Sequence, residues 1–145
     1  MNYFEILGIP VGYKIDENAM LRSYLQKQAF VHPDINGEDS AESALLNEAY
    51  RTLRDPLERA QYILEIQGKY EDKLDPAFTI EGFALREKYE ALSKKKEQEE
   101  FHRELSVRMA ELFKILEVSE DNLEYFQRIY SRLRFMNSFL ENIHS

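Results

Sequence analysis

Cysteine is absent from this chain of 145 residues, which excludes disulfides, zinc ribbons, thiol catalysis and direct thiolate ligation of an iron–sulfur cluster. Glycine and proline are scarce, at 5 and 4 residues. That is too few for the many turns of a β-sandwich or barrel, so an all-helical chain is expected. No apolar run approaches the ~20 residues needed to cross a bilayer. Positive charge is short as well: 19 Lys and Arg against 27 Asp and Glu leave a net charge of −8, which disfavours nucleic acid and anionic membranes as partners. Met1 runs straight into helical pattern without a signal or transit segment, so a cytoplasmic location is the default expectation.

What is present is helical periodicity with clear punctuation. Tyr3 to Gly8 reads as a short helix closed by Gly8, with Pro10 just beyond. Asp16 and Glu17 open a second helix that runs to Val31, with Leu21, Tyr24, Leu25 and Gln28 on its expected inner face and Arg22 and Lys27 off it. Pro33 ends it, because proline lacks an N–H and disfavours helical geometry at the residue before it. His32-Pro33-Asp34 therefore holds an imidazole and a carboxylate on either side of a residue of fixed φ, on an exposed loop continued by the turn formers Asn36 and Gly37.

Asp39 and Glu42 have capping-box spacing for the next helix, whose expected inner face is Ala41, Leu45, Ala49 and Leu53 with Tyr50 alongside. Asp55, Pro56 and Glu58 start a further helix carrying Leu57, Ala60, Ile63 and Leu64 as far as Gly68. The polar stretch from Lys69 to Leu74 marks the expected boundary, giving units at 1–70 and 75–145. Asp75-Pro76 starts a helix to about Leu92, and Lys94-Lys95-Lys96 is a turn or polar helix start. Phe101, Leu105, Met109, Leu112 and Leu116 line the inner face of a long helix. Val118 and Ser119 look like a staple and cap for the last helix, with Leu123 as staple partner. That helix carries Phe126, Ile129, Tyr130, Leu133, Met136, Leu140 and Ile143. An antiparallel three-helix bundle is expected for the second unit.

Tyr3-Phe4-Glu5-Ile6-Leu7-Gly8-Ile9, His32-Pro33-Asp34 and Leu46-Asn47-Glu48-Ala49-Tyr50-Arg51-Thr52-Leu53 together resemble a J domain. With Leu53-Arg54-Asp55-Pro56-Leu57-Glu58-Arg59-Ala60-Gln61-Tyr62-Ile63-Leu64, Ala84-Leu85-Arg86-Glu87 and Leu133-Arg134-Phe135, the chain is similar to the HscB-type J-proteins of iron–sulfur cluster assembly. The resemblance implies that His32, Pro33 and Asp34, with Arg22 and Lys27, meet a DnaK/HscA-type ATP-dependent chaperone and stimulate its ATPase. It also implies that Thr79, Ile80, Phe83, Ala84, Glu87 and Phe135 bind an iron–sulfur cluster scaffold protein. No catalysis, cofactor or metal of the chain's own is implied. Two departures stand out: the helix before the loop carries few basic residues, and Ile35 follows the motif where lysine is common. The glycine/phenylalanine linker and cysteine-rich zinc module of general J-proteins are missing.

Helical angles mark the same second surface. At ~100° per residue, Phe78, Leu85, Tyr89 and Leu92 share one side of the first bundle helix, while Ile80, Phe83, Ala84 and Glu87 share the other. Phe135 is expected to point away from the core stripe of the last helix, near Phe139, Arg128 and Arg132. Large apolar groups left on an outer face fit a partner surface. The alternatives are a general J-protein binding unfolded clients through the bundle and a small metal-dependent hydrolase using His32 and Asp34. Three histidines and no cysteine give the hydrolase little to build on, since neither His102 nor His144 has a helical-spacing cluster of ligands around it.

Overall fold

The computed structural model describes residues 1–31, 40–71 and 76–143. Among these the fold is all-helical, as expected, with α1 (Tyr3–Leu7), α2 (Glu17–Phe30), α3 (Ala41–Arg54), α4 (Pro56–Ile66), α5 (Pro76–Glu90), α6 (Lys95–Glu117) and α7 (Leu123–Ile143). The chain divides into two compact units, Met1–Gly68 and Lys69–Ser145.

In the first unit, local chemistry explains most helix ends. Asn2 Oδ1 accepts from the Glu5 N–H at 2.9 Å to start α1. Gly8 ends it in the left-handed region at φ 67°, which an L side chain rarely adopts. Asp16 caps α2 through the Ala19 N–H at 3.0 Å. At the α3–α4 corner Asp55 accepts from Leu57 at 2.8 Å and Glu58 at 3.1 Å, with Pro56 in the first turn. Phe4, Leu7, Met20, Leu46, Ala49, Leu53, Ala60, Ile63 and Leu64 fill the core. Arg59 is buried beside it, donating to the Leu53 carbonyl at 2.7 Å while its guanidinium lies 4.7 Å from the Tyr13 ring centroid. One side chain thus closes the last turn of α3 and holds the segment between α1 and α2.

Two inner faces differ from expectation. Leu21 and Leu25 are 39% and 57% exposed, and Met20 is the buried residue of α2. On α3, Ala41 and Leu45 face out, whereas Ser43, Leu46, Ala49 and Leu53 face in. The cause is the same in both helices. Their inner faces contain polar side chains that find partners, so counting apolar residues wrongly admits Leu21, Leu25, Ala41 and Leu45, while Tyr24 and Gln28 meet α3 and Ala49 and Leu53 are buried as expected. Ser23 Oγ donates to the Leu7 carbonyl, and Ser43 Oγ donates to Gln28 Oε1 at 2.9 Å. The α3 cap also differs: Ser40 Oγ accepts the Ser43 N–H at 3.0 Å, and Asp39 lies outside the described residues, as does Asp75.

In the second unit, α5, α6 and α7 form an up-down-up bundle. Tyr89 meets Phe101 near the α5–α6 turn, at 5.4 Å between centroids, and Glu81 meets Arg108 at 3.4 Å toward the far end. Phe78, Phe101, Leu105, Met109, Leu116, Phe126, Ile129, Tyr130, Leu133, Met136, Phe139 and Leu140 are buried. Val118 is 81% exposed and makes no staple. Asn122 caps α7 instead, accepting from the Tyr125 N–H at 3.2 Å, because the Ser119 hydroxyl is used on the Ile115 carbonyl at the end of α6.

Candidate functional site

His32, Pro33 and Asp34 lie outside the described residues; the helices on either side of them do not. A polar and aromatic seam joins α2 to α3. Gln28 Nε2 donates to Asn47 Oδ1 at 2.7 Å and to the Ser43 carbonyl at 3.3 Å, and the Tyr24 hydroxyl also donates to Asn47. Tyr24 stacks on Tyr50 with centroids 4.3 Å apart, and the Arg54 guanidinium sits 5.7 Å from the Tyr50 centroid. Next to the loop, Ser40 Oγ donates to the Val31 carbonyl at 3.4 Å. Hydrogen bonds are directional, so this seam sets the relative register of α2 and α3 more sharply than apolar packing would.

The basic candidates are separated. Arg22 is exposed, but Lys27 is half-buried, with its Cε 3.5 Å from the position a β-carbon on Gly8 would take. Lys27 covers the left-handed turn after α1. Tyr3 stacks on Tyr62 with ring centroids 4.5 Å apart. Burial raises the Tyr3 hydroxyl pKa, and the neighbouring Glu48 carboxylate adds to the rise.

In the second unit, Thr79, Ile80, Phe83, Ala84 and Glu87 all stand exposed on α5. Ile80 and Phe83 are 76% and 68% exposed, one turn apart on the same side. They form an apolar step on an otherwise polar face. Burying them against a partner offers roughly 1.5–3 kcal/mol per side chain.

Phe135 corrects its expected placement. Its ring meets Phe78 edge-on at 5.4 Å and Phe139 at 6.2 Å, and its Cζ would lie 3.0 Å from a β-carbon on Gly82. Phe139, placed outside by angle, is buried. Because α7 packs against both α5 and α6, it buries a wider arc than the single stripe an amphipathic pattern assumes. The Leu133-Arg134-Phe135 segment serves three purposes. Leu133 fills the core, Arg134 donates to the Tyr70 hydroxyl at 2.6 Å, and Phe135 supports the back of α5 behind Ile80 and Phe83. Nearby, Gln127 Nε2 donates to the Glu71 carbonyl at 2.8 Å and Tyr70 meets Tyr130 edge-on at 6.2 Å. Burial pushes the Tyr130 hydroxyl up to about 12, against the lowering effect of Arg134.

Gly82 is the residue that sequence reasoning missed. The available signal was a glycine inside a helix with no cap to make, a position that costs about 1 kcal/mol unless packing requires it. The α2–α3 seam was missed too, since Asn47 and Ser43 are not among the apolar residues counted for the inner face of α3. Among the described residues, no group of three or more His, Cys, Asp and Glu could hold a metal ion, and no helix is long and apolar enough to cross a membrane.

A DnaJ-domain family model matches residues 2–62. The class is therefore an all-helical protein with an N-terminal DnaJ domain. The chain is 33% identical over 106 residues to the co-chaperone protein HscB homolog of Vibrio cholerae, covering 64% of this chain and 62% of that protein. It is 30% identical over 128 residues to the co-chaperone protein HscB of Proteus mirabilis, covering 79% of this chain and 74% of that one. The crystal structure of the human co-chaperone protein HscB has the same fold, with a TM-score of 0.85 and 24% identity over 99% of this chain and 81% of the human one. The chain belongs to the HscB co-chaperone family.

Proposed function

We propose that the protein is a co-chaperone that brings an iron–sulfur cluster scaffold protein to a DnaK/HscA-type ATP-dependent chaperone and stimulates that chaperone's ATPase. The stimulus comes from His32-Pro33-Asp34, the scaffold is held on the outer face of α5, and the protein works in the cytoplasm without chemistry of its own. The observation that carries the reading is the pairing, within an HscB-family chain, of a DnaJ domain with a rigidly backed apolar step at Ile80 and Phe83. Thr79, Ala84 and Glu87 border that step, so a partner surface with an apolar centre and a polar rim fits it.

The action on the chaperone is allosteric. A carboxylate at Asp34 suits an arginine of the chaperone through a charge-assisted pair. Binding tighter to the hydrolysis-competent state than to the resting state raises the population of the former, and no group of this chain needs to touch the nucleotide. Phe135 takes the role of a brace for α5, with its remaining exposed edge available to the scaffold. The test is single-turnover ATP hydrolysis by the chaperone. Asp34→Asn and His32→Gln are expected to abolish stimulation while scaffold binding persists, and normal stimulation by both variants would remove the chaperone half of the proposal.

A further inference from the structure

At the end of the bundle where α5 turns into α6, a cleft of about 550 Å³ opens along α6, a volume within the range of ligand sites. Its lining falls into three strips. Lys95, Glu99 and Arg103 form an exposed outer row on α6, Gln98, His102 and Ser106 form a half-buried inner row, and Tyr89 and Ile143 make the remaining wall. Tyr89 is fixed by ring contacts with Phe101 at 5.4 Å and Phe139 at 6.1 Å. Side chains four residues apart on a helix can reach one another. Even so, no hydrogen bond or ion pair among the described residues occupies the side chains of Lys95, Glu99 or Arg103. The outer row therefore presents a cation, an anion and a cation in steps of about 6 Å. None of the lining residues belongs to the α5 face carrying Ile80 and Phe83.

Alternate residues of an extended chain repeat at roughly 6.6 Å, close to the step of this row. We propose that the cleft binds an extended segment of a partner protein in which an acidic, a basic and an acidic residue alternate with apolar ones. The three charges pair with Lys95, Glu99 and Arg103. The apolar side chains between them point the opposite way, onto Tyr89 and Ile143, because successive side chains of a strand alternate. The amide, imidazole and hydroxyl of the inner row then face the backbone of the segment. A helix spanning the same ~12 Å would fill on the order of 1,000 Å³ at its usual diameter, about twice the cleft, so the slimmer extended form fits. Charge complementarity also selects a partner over a second copy of this chain. A two-fold contact would set Glu99 against Glu99 and Lys95 against Arg103, all like charges.

The experiment follows fluorescence anisotropy of a labelled peptide, Gly-Glu-Val-Lys-Val-Glu-Gly, titrated with the full chain, beside its charge-inverted twin, Gly-Lys-Val-Glu-Val-Lys-Gly. The parent protein is expected to prefer the first peptide, and Lys95→Glu with Arg103→Glu to weaken that binding roughly tenfold or more. Adding Glu99→Lys to the pair is expected to reverse the preference toward the twin, a gain that a misfolded variant cannot produce. Ile143→Ser is expected to weaken the parent's binding about threefold, through the apolar wall. Equal binding of both peptides by the parent, or an unreversed preference in the triple variant, overturns the proposal. Displacement of the peptide by inorganic phosphate, at an ionic strength where chloride does not displace it, overturns it in favour of a small-anion site. A parent dimer in sedimentation equilibrium that the double variant dissolves overturns it in favour of self-association.

Discussion

Phe135 and Gly82 fit together without slack: a β-carbon added at position 82 would stand 3.0 Å from Cζ and 3.1 Å from Cε1 of the ring. Alanine at a helical glycine position ordinarily gains about 1 kcal/mol, whereas an extra carbon in a filled site costs about 1–3 kcal/mol. The ring is held by Phe78 on one side and Phe139 on the other, so it has little room to yield. Gly82→Ala is therefore expected to lower the stability of the bundle by about 1 kcal/mol. Adding Phe135→Leu should recover most of the loss. Urea unfolding of the two variants decides it, and a net gain from Gly82→Ala alone would show that the ring moves.

The apolar step on α5 separates binding from stability. Ile80 and Phe83 are mostly exposed, so Ile80→Ser with Phe83→Ser is expected to change stability by less than about 1 kcal/mol. Scaffold affinity measured by calorimetry is expected to fall by a factor of roughly ten or more. Phe135→Ala should lower both, since it removes the support behind α5. Undiminished affinity in the serine variant would reassign the surface.

Asn47 is the shared acceptor of the α2–α3 seam, used by Gln28 and Tyr24. Asn47→Ala leaves both donors to water and is expected to cost about 1 kcal/mol. Faster amide exchange should follow in the last turn of α2 and the first turn of α3, the parts next to the His-Pro-Asp loop, with slower exchange kept at Ala60 and Ile63. Uniform acceleration across the unit would mean the seam has no special hold on the loop.

Tyr130 makes the second unit alkali-sensitive. Its pKa is pushed up to about 12 in the folded chain, and an exposed tyrosine titrates near 10. Above pH ~10 the unfolded chain loses this proton while the folded one keeps it. Stability is therefore fully present below about 10 and declines as pH rises toward about 12. Tyr130→Phe is expected to flatten that decline relative to the parent, at a cost of about 1 kcal/mol near neutrality from the lost hydroxyl contacts. Unfolding midpoints measured across this window test the sign.

The helix inventory was legible because its punctuation is local. Gly8 in the left-handed region and the Asp55-Pro56 corner depend on a few consecutive residues, and each formed where the sequence placed it. Membership of the HscB family was legible from quoted motifs for a related reason, since they are contiguous stretches. The inner faces of α2 and α3, and the caps at Ser40 and Asn122, were not. At each of these, several residues could do the job by spacing, and partners elsewhere in the fold made the choice.

Composition and periodicity alone determined that this chain is helical, lacks thiol chemistry and carries apolar residues on the outer side of α5. Tertiary structure decided which polar groups are buried, because a serine or glutamine can turn inward only when another helix supplies its hydrogen-bond partner. It also decided that Phe135 supports α5. That contact requires a glycine on one helix to meet an aromatic ring on another, and no periodicity within a single helix encodes such a match.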